Sequence, residues 1–261
     1  MSSPGSERSR PDGRSLYQGE RLSYGTSTGS TRGSYRRDFE ATLVDVIGRL
    51  DDDTTIAELG AGANPALAVH PRVLAGDVDL LMIDISQGEL DKAPAVGKKI
   101  CADVTAADFP LTDAVDFACS QMLAEHVRDG SQFLRNVARM LKPGGLYLQV
   151  SPVLGTVPFV VNRFVPEDLG DRLLDIFQPR DRYRHDKFPA YYDLCRGPYG
   201  RHLEHIEQAG LRLEAARGYF GHNYYGRMPG IRDLETWKSE TLAEHPLPWL
   251  CSFSVYLLAR R

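Results

Sequence analysis

The fold is decided by residues 55–62, Thr55-Ile56-Ala57-Glu58-Leu59-Gly60-Ala61-Gly62. This stretch begins as a short, mainly apolar run, which predicts a strand, and the glycines follow directly. Glycine allows a tight turn and a close approach of the backbone to a ligand. Asn64 and Pro65 suit the N-cap and first position of a helix, whose N-terminus would offer free N–H groups. The stretch predicts a ligand-binding loop between strand and helix, although a tight turn without a ligand would use the same glycines.

Outward from this loop, the sequence alternates between apolar strands and amphipathic helices. Further strands are predicted at residues 79–84, 97–102, 114–120 and 146–150, and helices at residues 35–50 and 131–141. This alternation predicts βαβ units and a doubly wound, mostly parallel α/β sheet with its ligand crevice at the carboxyl ends of the strands. The polar side chains at those ends are Glu58, Asp84, Asp103 and Gln121.

The chain divides into a polar arm and one folded domain. Residues 1–33 are rich in Ser, Gly and Arg and predict a flexible arm, in which Tyr24 is an aromatic residue that could order over a ligand. Residues 34–261 are predicted to form a single domain. Its parts are a ligand-binding core at 34–152, an inserted cap at about 153–200, and final helix and strand elements at 201–261.

The composition is that of an ordinary globular protein. The chain has 261 residues and a formal net charge of -4, which argues against nucleic acid as the main partner. The 4 cysteines are scattered and lack zinc-ligand spacing, so we expect reduced thiols and no metal. No apolar run is long enough to span a bilayer, and the N-terminus lacks the apolar core of a secretory signal, so we expect a cytoplasmic protein. Arg exceeds Lys, and Ala and Gly are plentiful, which hints at a GC-rich bacterial genome.

Two carboxylates give the loop its selectivity. Asp84 follows Gly62 by about the spacing at which an acidic residue accepts hydrogen bonds from ribose hydroxyls. Asp103, at the end of the next predicted strand, could accept a hydrogen bond from an adenine amine. The competing interpretation of Asp84 is a helix N-cap. The joint spacing with the glycine loop favours the ribose role.

These segments together resemble the class I methyltransferases that depend on S-adenosyl-L-methionine (SAM), particularly the small-molecule group called type 11. The matching positions are residues 57–62, 81–86, 102–104, 115–127 and 139–145, and the resemblance covers residues 35–152. It implies a Rossmann-like, seven-stranded sheet with an inserted cap, SAM as cofactor and S-adenosyl-L-homocysteine (SAH) as product. The implied cofactor residues are Tyr24, Glu58, Gly60, Ala61, Gly62, Asn64, Asp84, Ile85, Asp103, Val104 and Gln121.

Two features test this resemblance against its rivals. Many relatives carry a third glycine where this chain has Asn64, a residue that tolerates left-handed backbone geometry. A nicotinamide enzyme expects Gly-x-Gly-x-x-Gly, whose last position here is Pro65. The paired Asp84 and Asp103 also favour SAM over a nicotinamide.

Candidate catalytic and acceptor residues lie beyond the cofactor motifs. His126 follows the fourth predicted strand, and because histidine as a residue type can accept and release protons near neutral pH, it is the first candidate for a general base; Tyr192 is the second. Tyr191, Arg196 and His202, in or near the cap, are the candidates for acceptor binding. For each of these residues a structural role, such as capping or packing, competes with the functional one.

The predicted function is methyl transfer to an oxygen or nitrogen of a small molecule, in specialised metabolism, by a monomer or homodimer. One alternative is an RNA-modifying methyltransferase that uses the basic cap and the Arg-rich arm. A second, of another class, is a protein that binds SAM without transferring its methyl group.

Overall fold

The computed structural model describes residues 21–28, 34–154, 189–222 and 228–261. Within them, a single sheet contains eight strands in the order β1-β7-β8-β6-β5-β2-β3-β4. All neighbouring pairs are parallel except the two that involve β8, which is antiparallel to β6 and to β7. The strands are β1 (Leu22–Thr26), β2 (Thr54–Leu59), β3 (Val78–Asp84), β4 (Lys98–Cys101), β5 (Val115–Gln121), β6 (Leu141–Pro152), β7 (Leu211–Phe220) and β8 (Phe253–Arg260).

The predicted Rossmann-like α/β class is confirmed, and the sheet has one strand more than the predicted seven. The additional strand is β1, which lies inside residues 1–33, where the sequence predicts a flexible arm. β1 pairs in parallel with β7, and Tyr24 stacks on Phe220 of β7 with ring centroids 5.9 Å apart. This backbone pairing between residues distant in sequence overrides the polar composition of the segment. The rest of the predicted arm, at residues 1–20 and 29–33, lies outside the described residues, as do residues 155–188 of the cap predicted at about 153–200.

The central strands are continuous apolar runs because helices cover both faces of the sheet. Ile56, Phe117 and Leu148 are completely buried in β2, β5 and β6. Helices α1 (Ser34–Arg49) and α4 (Gly130–Met140) bury the apolar stripe that three- and four-residue spacing creates. The covering residues of these helices are Phe39, Leu43, Val46, Ile47, Phe133, Leu134, Val137 and Met140.

The chain after the glycine loop differs from the predicted helix at Asn64 and Pro65. It forms a 3-10 turn at Leu67–Val69 and then the short helix α2 (Pro71–Ala75). His70 lies between them in an extended conformation, because the residue before a proline is disfavoured in the α region. The helical path is therefore interrupted by Pro71. The next helix, α3 (Gln87–Lys92), begins with the Ser86 hydroxyl accepting from the Glu89 N–H at 3.3 Å.

The C-terminal elements complete the sheet on its far side. Helix α5 (Gly200–Gln208) leads into β7, and helix α6 (Pro229–Glu244) precedes β8. α6 contacts β1 and β7, whereas α1 contacts β6 and β8. This arrangement leaves the carboxyl ends of β2, β3, β4 and β5 to form a site.

Candidate functional site

The loop after β2 turns sharply at its glycines. Gly60 and Gly62 have φ angles of 68° and 53°, in the left-handed region that glycine adopts without steric cost. The N–H groups of Gly60 and Ala61 donate to the Ile83 carbonyl at 2.8 and 3.1 Å, which fixes the loop to β3. A Cβ at Gly60 would lie 2.9 Å from the Leu123 side chain, whereas a Cβ at Gly62 would meet open space. Gly62 therefore leaves its backbone accessible to a ligand.

Asp84 at the end of β3 is held by this loop. One carboxylate oxygen, Oδ2, accepts from the Gly62 N–H at 2.8 Å, and the other, Oδ1, accepts from the Ser86 N–H at 2.9 Å. The side chain is almost buried. A carboxylate oxygen has two lone pairs, so each of these oxygens can accept a further bond from a ligand hydroxyl. The N-cap of the following helix is Ser86, so Asp84 does not have that competing role.

Glu58, near the end of β2, holds the chain that follows the glycine loop. Its carboxylate accepts from the N–H groups of Ala66 and Leu67 at 2.9 and 2.8 Å. Burial raises the pKa of Glu58 to about 7, although these two N–H groups lower it. Glu58 thus binds the N–H groups at the start of the 3-10 turn, which lies where the sequence predicted a helix.

The end of β4 supplies a third carboxylate and apolar surface. Asp103 Oδ1 accepts from both the N–H and the hydroxyl of Thr105 at 2.7 Å, and the side chain is exposed. Ile85 is 58% exposed, which is unusual for isoleucine and leaves an apolar surface beside Asp84. Val104 follows Asp103 and is half-buried.

These residues share one cavity of about 1120 Å³. It contains every predicted cofactor residue except Tyr24, and it also contains His126 and Tyr191. The lining consists of Arg36, Glu58, Gly60, Ala61, Gly62, Ala63, Asn64, Asp84, Ile85, Glu89, Ala102, Asp103, Val104, Thr105, Gln121, Met122, Leu123, His126, Val127, Arg128, Pro189 and Tyr191. Asn64 lines the cavity without the left-handed backbone that its glycine-like position suggested, since Asp53, Asp113, Met122 and Tyr192 are the described non-glycine residues with positive φ.

His126 lies at the end of the cavity away from Asp103. It belongs to a 3-10 turn, Ala124–His126, that follows β5. Its Nδ1 lies 3.0 Å from the Pro189 carbonyl oxygen. A carbonyl oxygen can only accept, so Nδ1 carries the proton, and in the neutral ring the other nitrogen, Nε2, has the lone pair.

Residues 189–195, here called the strap, form the wall next to His126. The N–H groups of Tyr191 and Tyr192 donate to the Glu125 carbonyl at 2.7 and 3.1 Å. The Asp193 carboxylate accepts from the Gly130 N–H at 2.9 Å. The strap is thus attached by backbone bonds to the chain that follows β5, and this places Pro189 and Tyr191 in the cavity wall.

Glu125 lies beside the strap and outside the cavity lining. Its Oε2 is buried and has no hydrogen-bond partner in the part of the chain that the structure describes. Burial raises the pKa of Glu125 to about 7. Burial without a hydrogen-bond partner favours the neutral form of a carboxyl group. Sequence reasoning missed Glu125, although it directly precedes His126.

Four predicted site residues lie away from the cavity lining. Tyr24 is on β1, an edge strand separated from β2 by four strands, so the structure does not bring it together with the other predicted cofactor residues. Tyr192 belongs to the strap, but its side chain is buried and does not line the cavity. The Arg196 carbonyl accepts from the Tyr256 hydroxyl at 2.9 Å, and His202 packs edge-on against the Tyr256 ring. Burial, with the charges of His205 and Arg196, lowers the pKa of His202 to about 4, as expected for a neutral core histidine.

The cavity also contains residues that sequence reasoning missed. Met122, Leu123, Val127 and Arg128 flank Gln121 and His126, so contiguity with the predicted motif would have found them. Arg36 on α1 and Pro189 on the strap have no local signal, because they reach the cavity only through tertiary packing. In the described ranges, no group of three or more His, Cys, Asp or Glu side chains could hold a metal ion, and no helix is long and apolar enough to cross a membrane.

A doubly wound sheet with a glycine loop after β2, an aspartate at the end of β3, and a last strand inserted antiparallel between β6 and β7 defines the class I SAM-dependent methyltransferase fold. Residues 57–148 match the family described as "Methyltransferase domain". The matched segment contains the glycine loop and Asp84, the motifs on which the sequence-based resemblance rested. No curated protein matches the chain.

Solved structures share this fold at low sequence identity. Geranyl diphosphate C-methyltransferase from Streptomyces coelicolor A3(2) has 12% identity and a TM-score of 0.54, covering 87% of this chain and 81% of its own. A candidate sarcosine dimethylglycine methyltransferase from Galdieria sulphuraria has 13% identity and a TM-score of 0.51, covering 94% and 96%. The [4+2]-cyclase SpnF has 16% identity and a TM-score of 0.50, covering 95% and 91%. At these identities the likeness shows the fold alone.

Proposed function

We propose that this protein transfers a methyl group from SAM to an oxygen or nitrogen of a small molecule. The observation that carries the proposal is the single cavity that brings Asp84 and the glycine loop together with His126. Its volume of about 1120 Å³ exceeds the roughly 300–1,000 Å³ of a pocket for one small ligand. The cavity therefore has room for an acceptor beside the cofactor.

The lining residues fit SAM at the carboxyl ends of β2, β3 and β4. Asp84 is placed to accept bonds from the ribose hydroxyls, because both of its oxygens are already oriented by backbone N–H groups. Asp103 is placed for the adenine amine, and the exposed face of Ile85 for the apolar adenine ring. When bound, SAM supplies an electrophilic methyl group on a sulfonium. The protein's part is orientation and exclusion of water.

His126 is the proposed general base. The Pro189 carbonyl holds its proton on Nδ1, so Nε2 of the neutral ring is able to take a proton from a hydroxyl as its oxygen attacks, or from an ammonium before the resulting amine attacks. Tyr191, which is on the same wall and 39% exposed, is proposed to orient the acceptor. Tyr192, buried behind it, is not carried forward as a catalytic residue.

The geranyl diphosphate enzyme gives a precedent for a small acceptor in this fold, and biosynthetic chemistry in the cytoplasm stays our prediction for this chain. The [4+2]-cyclase shows that the fold also occurs in a protein named for another reaction, so SAM binding and methyl transfer need separate measurements. The RNA alternative rests on the basic arm and cap, which lie mainly outside the described residues.

The test has two stages. Calorimetry with SAH measures cofactor binding, and failure to bind SAH or SAM contradicts the proposal. An acceptor screen with methyl-labelled SAM then measures transfer to small hydroxy and amino compounds and to RNA. Label on a small molecule supports the proposal, label on RNA supports the alternative, and cofactor binding without any transfer supports a SAM-binding protein of another activity.

A further inference from the structure

We propose that the acceptor is an anion, a small molecule with a carboxylate or phosphate group, and that Arg128 binds that group. The inference rests on the proposed function and names the substrate class of the same cavity. The lining of the cavity contains both acidic and basic side chains. The ionisable lining residues are Arg36, Glu58, Asp84, Glu89, Asp103, His126 and Arg128.

Acidic and basic side chains occupy opposite ends of the cavity. The carboxylates come from the ends of β2 and β3, from α3, and from the residues after β4. The basic side chains come from α1 and from the chain after β5. In the sheet, β3 and β4 lie on one side of β2, whereas β5 and β6 lie on the other, and α1 contacts β6 and β8. The topology therefore separates the carboxylates that follow β3 and β4 from the basic side chains, and Glu58 of β2 lies between them.

The basic end is not neutralised by nearby acids. In the described ranges, neither Arg36 nor Arg128 forms an ion pair with a carboxylate; Arg36 hydrogen-bonds to the hydroxyl of Tyr35. Glu125, which precedes His126, lies outside the cavity lining, and burial raises its pKa to about 7, which reduces its negative charge near neutral pH. Asp129, which follows Arg128, also lies outside the lining, and its carboxylate accepts from the Gln132 N–H at 2.8 Å. The local positive charge also runs against the net charge of -4 of the whole chain.

SAM itself brings one carboxylate, on its methionine part. A guanidinium pairs with a carboxylate through two parallel N–H bonds, so the single carboxylate needs only one of the two arginines. Arg128 follows His126, the proposed base, by two residues in the same cavity wall. We therefore assign Arg128 to the acceptor, where it would orient an anionic group beside the atom that loses its proton.

The experiment uses protein saturated with SAH, so that the carboxylate of the cofactor product is already in place. Calorimetric titrations use 4-hydroxybenzoate, phenyl phosphate and, as the neutral control, 4-hydroxybenzamide. We expect one or both anions to bind and the amide to bind much more weakly. Arg128→Gln should weaken anion binding by about 10-fold or more, because a hydrogen bond to a charged group is worth about 1.5–3 kcal/mol. Arg128→Lys, which keeps the charge and loses the planar fork, should lie between.

Arg135→Gln is the matched control, since Arg135 is exposed on α4 and bonds to Gln132 outside the cavity. This variant should leave anion affinity unchanged. The inference is overturned if the amide binds as well as the anions, if neither anion binds, or if Arg128→Gln has no effect. It is also overturned if anions bind only without SAH, because the arginines would then serve the cofactor carboxylate. Wild-type protein that fails to bind SAH would instead contradict the proposed function.

Discussion

The two ends of the cavity differ in how their charged side chains are held. At the acidic end, each of Glu58, Asp84 and Asp103 accepts at least one backbone N–H bond from the chain that follows a parallel strand. At the basic end, Arg36 and Arg128 are exposed side chains on a helix and after a 3-10 turn. His126 is oriented there by the strap through the Pro189 carbonyl.

This difference indicates a division of tasks. Carboxylates fixed by their own loops are already in position before a ligand arrives, which favours recognition of one invariant ligand. The exposed arginines on α1 and after β5, and the strap that forms the wall beside them, can differ in sequence without a change in the sheet. We therefore infer that the acidic end determines the methyl donor and the basic end determines the acceptor.

The largest expected effect is on the acidic end. Asp84→Ala removes an acceptor for two ribose hydroxyls, at about 1.5–3 kcal/mol for each bond to a charged group, so SAH affinity should fall by roughly 10²- to 10⁴-fold. Calorimetry measures the affinity, and circular dichroism checks the fold. Asp79→Ala, at an exposed position of the same strand, is the control and should bind SAH normally. Unchanged affinity in Asp84→Ala would remove the ribose role.

The next largest effect is expected on turnover and not on SAH affinity, which distinguishes the basic end from the acidic end. His126→Ala should lower turnover by about 10²-fold, the lower end of what a general base contributes, because Nε2 would no longer take the proton. SAH affinity should change little, since His126 lies at the basic end. Turnover is measured with an acceptor found in the labelled-SAM screen. His205→Ala, exposed on α5, is the control, and equal turnover in His126→Ala would exclude His126 from the mechanism.

The acidic end could be predicted from the sequence because its geometry is local. The glycines and Glu58 lie within one strand and its loop, and the ends of parallel strands necessarily meet at one edge of the sheet. Correct prediction of the strands was therefore sufficient to place Asp84 next to Gly62. One local detail was wrong: Pro71 breaks the predicted helix into a 3-10 turn and a short helix.

The basic end depends on contacts that no local pattern records. Arg36 reaches the cavity through the packing of α1, and the strap reaches His126 across 63 residues of chain. The predicted acceptor residues Arg196 and His202 were selected by residue type. The structure buries His202 against the Tyr256 ring, whereas the exposed Arg196 contacts Tyr256 through its backbone carbonyl. Burial of this kind results from tertiary packing, so composition alone could not separate a ligand-binding histidine from a core histidine.

A smaller effect is expected on the pH dependence of stability, through the buried carboxyl group of Glu125. Glu125 has no described partner for Oε2, so Glu125→Gln should remove the buried charge without losing a bond. Its folded pKa of about 7 lies above the 4.3 or so of an ordinary glutamate, so the stability linked to its proton is fully present below about pH 4 and is lost as pH rises through 7. Glu125→Gln should therefore match wild type near pH 4 and be more stable above pH 7, by about 1–3 kcal/mol.

Urea unfolding at a series of pH values measures this difference. Glu240→Gln, at an exposed position of α6, is the control and should follow wild type at every pH. A Glu125→Gln curve parallel to wild type would show that the carboxyl is already ionised and accommodated. In that case the negative charge of Glu125 would persist beside the basic end.

The smallest effect on the cofactor tests whether the far edge of the sheet is independent of both ends. Tyr24→Ala removes the stacking on Phe220, and an aromatic pair of this kind is worth about 0.5–1.5 kcal/mol beyond the area it buries. The variant should lose about that much stability in urea, while SAH affinity stays within about twofold of wild type, because β7, β8, β6 and β5 separate β1 from the glycine loop. Phe220→Ala is the matched variant on the partner ring. If Tyr24→Ala weakened SAH binding by 10-fold and Phe220→Ala did not, Tyr24 would contact the cofactor as the sequence predicted, and the acidic end would extend beyond the residues of the cavity.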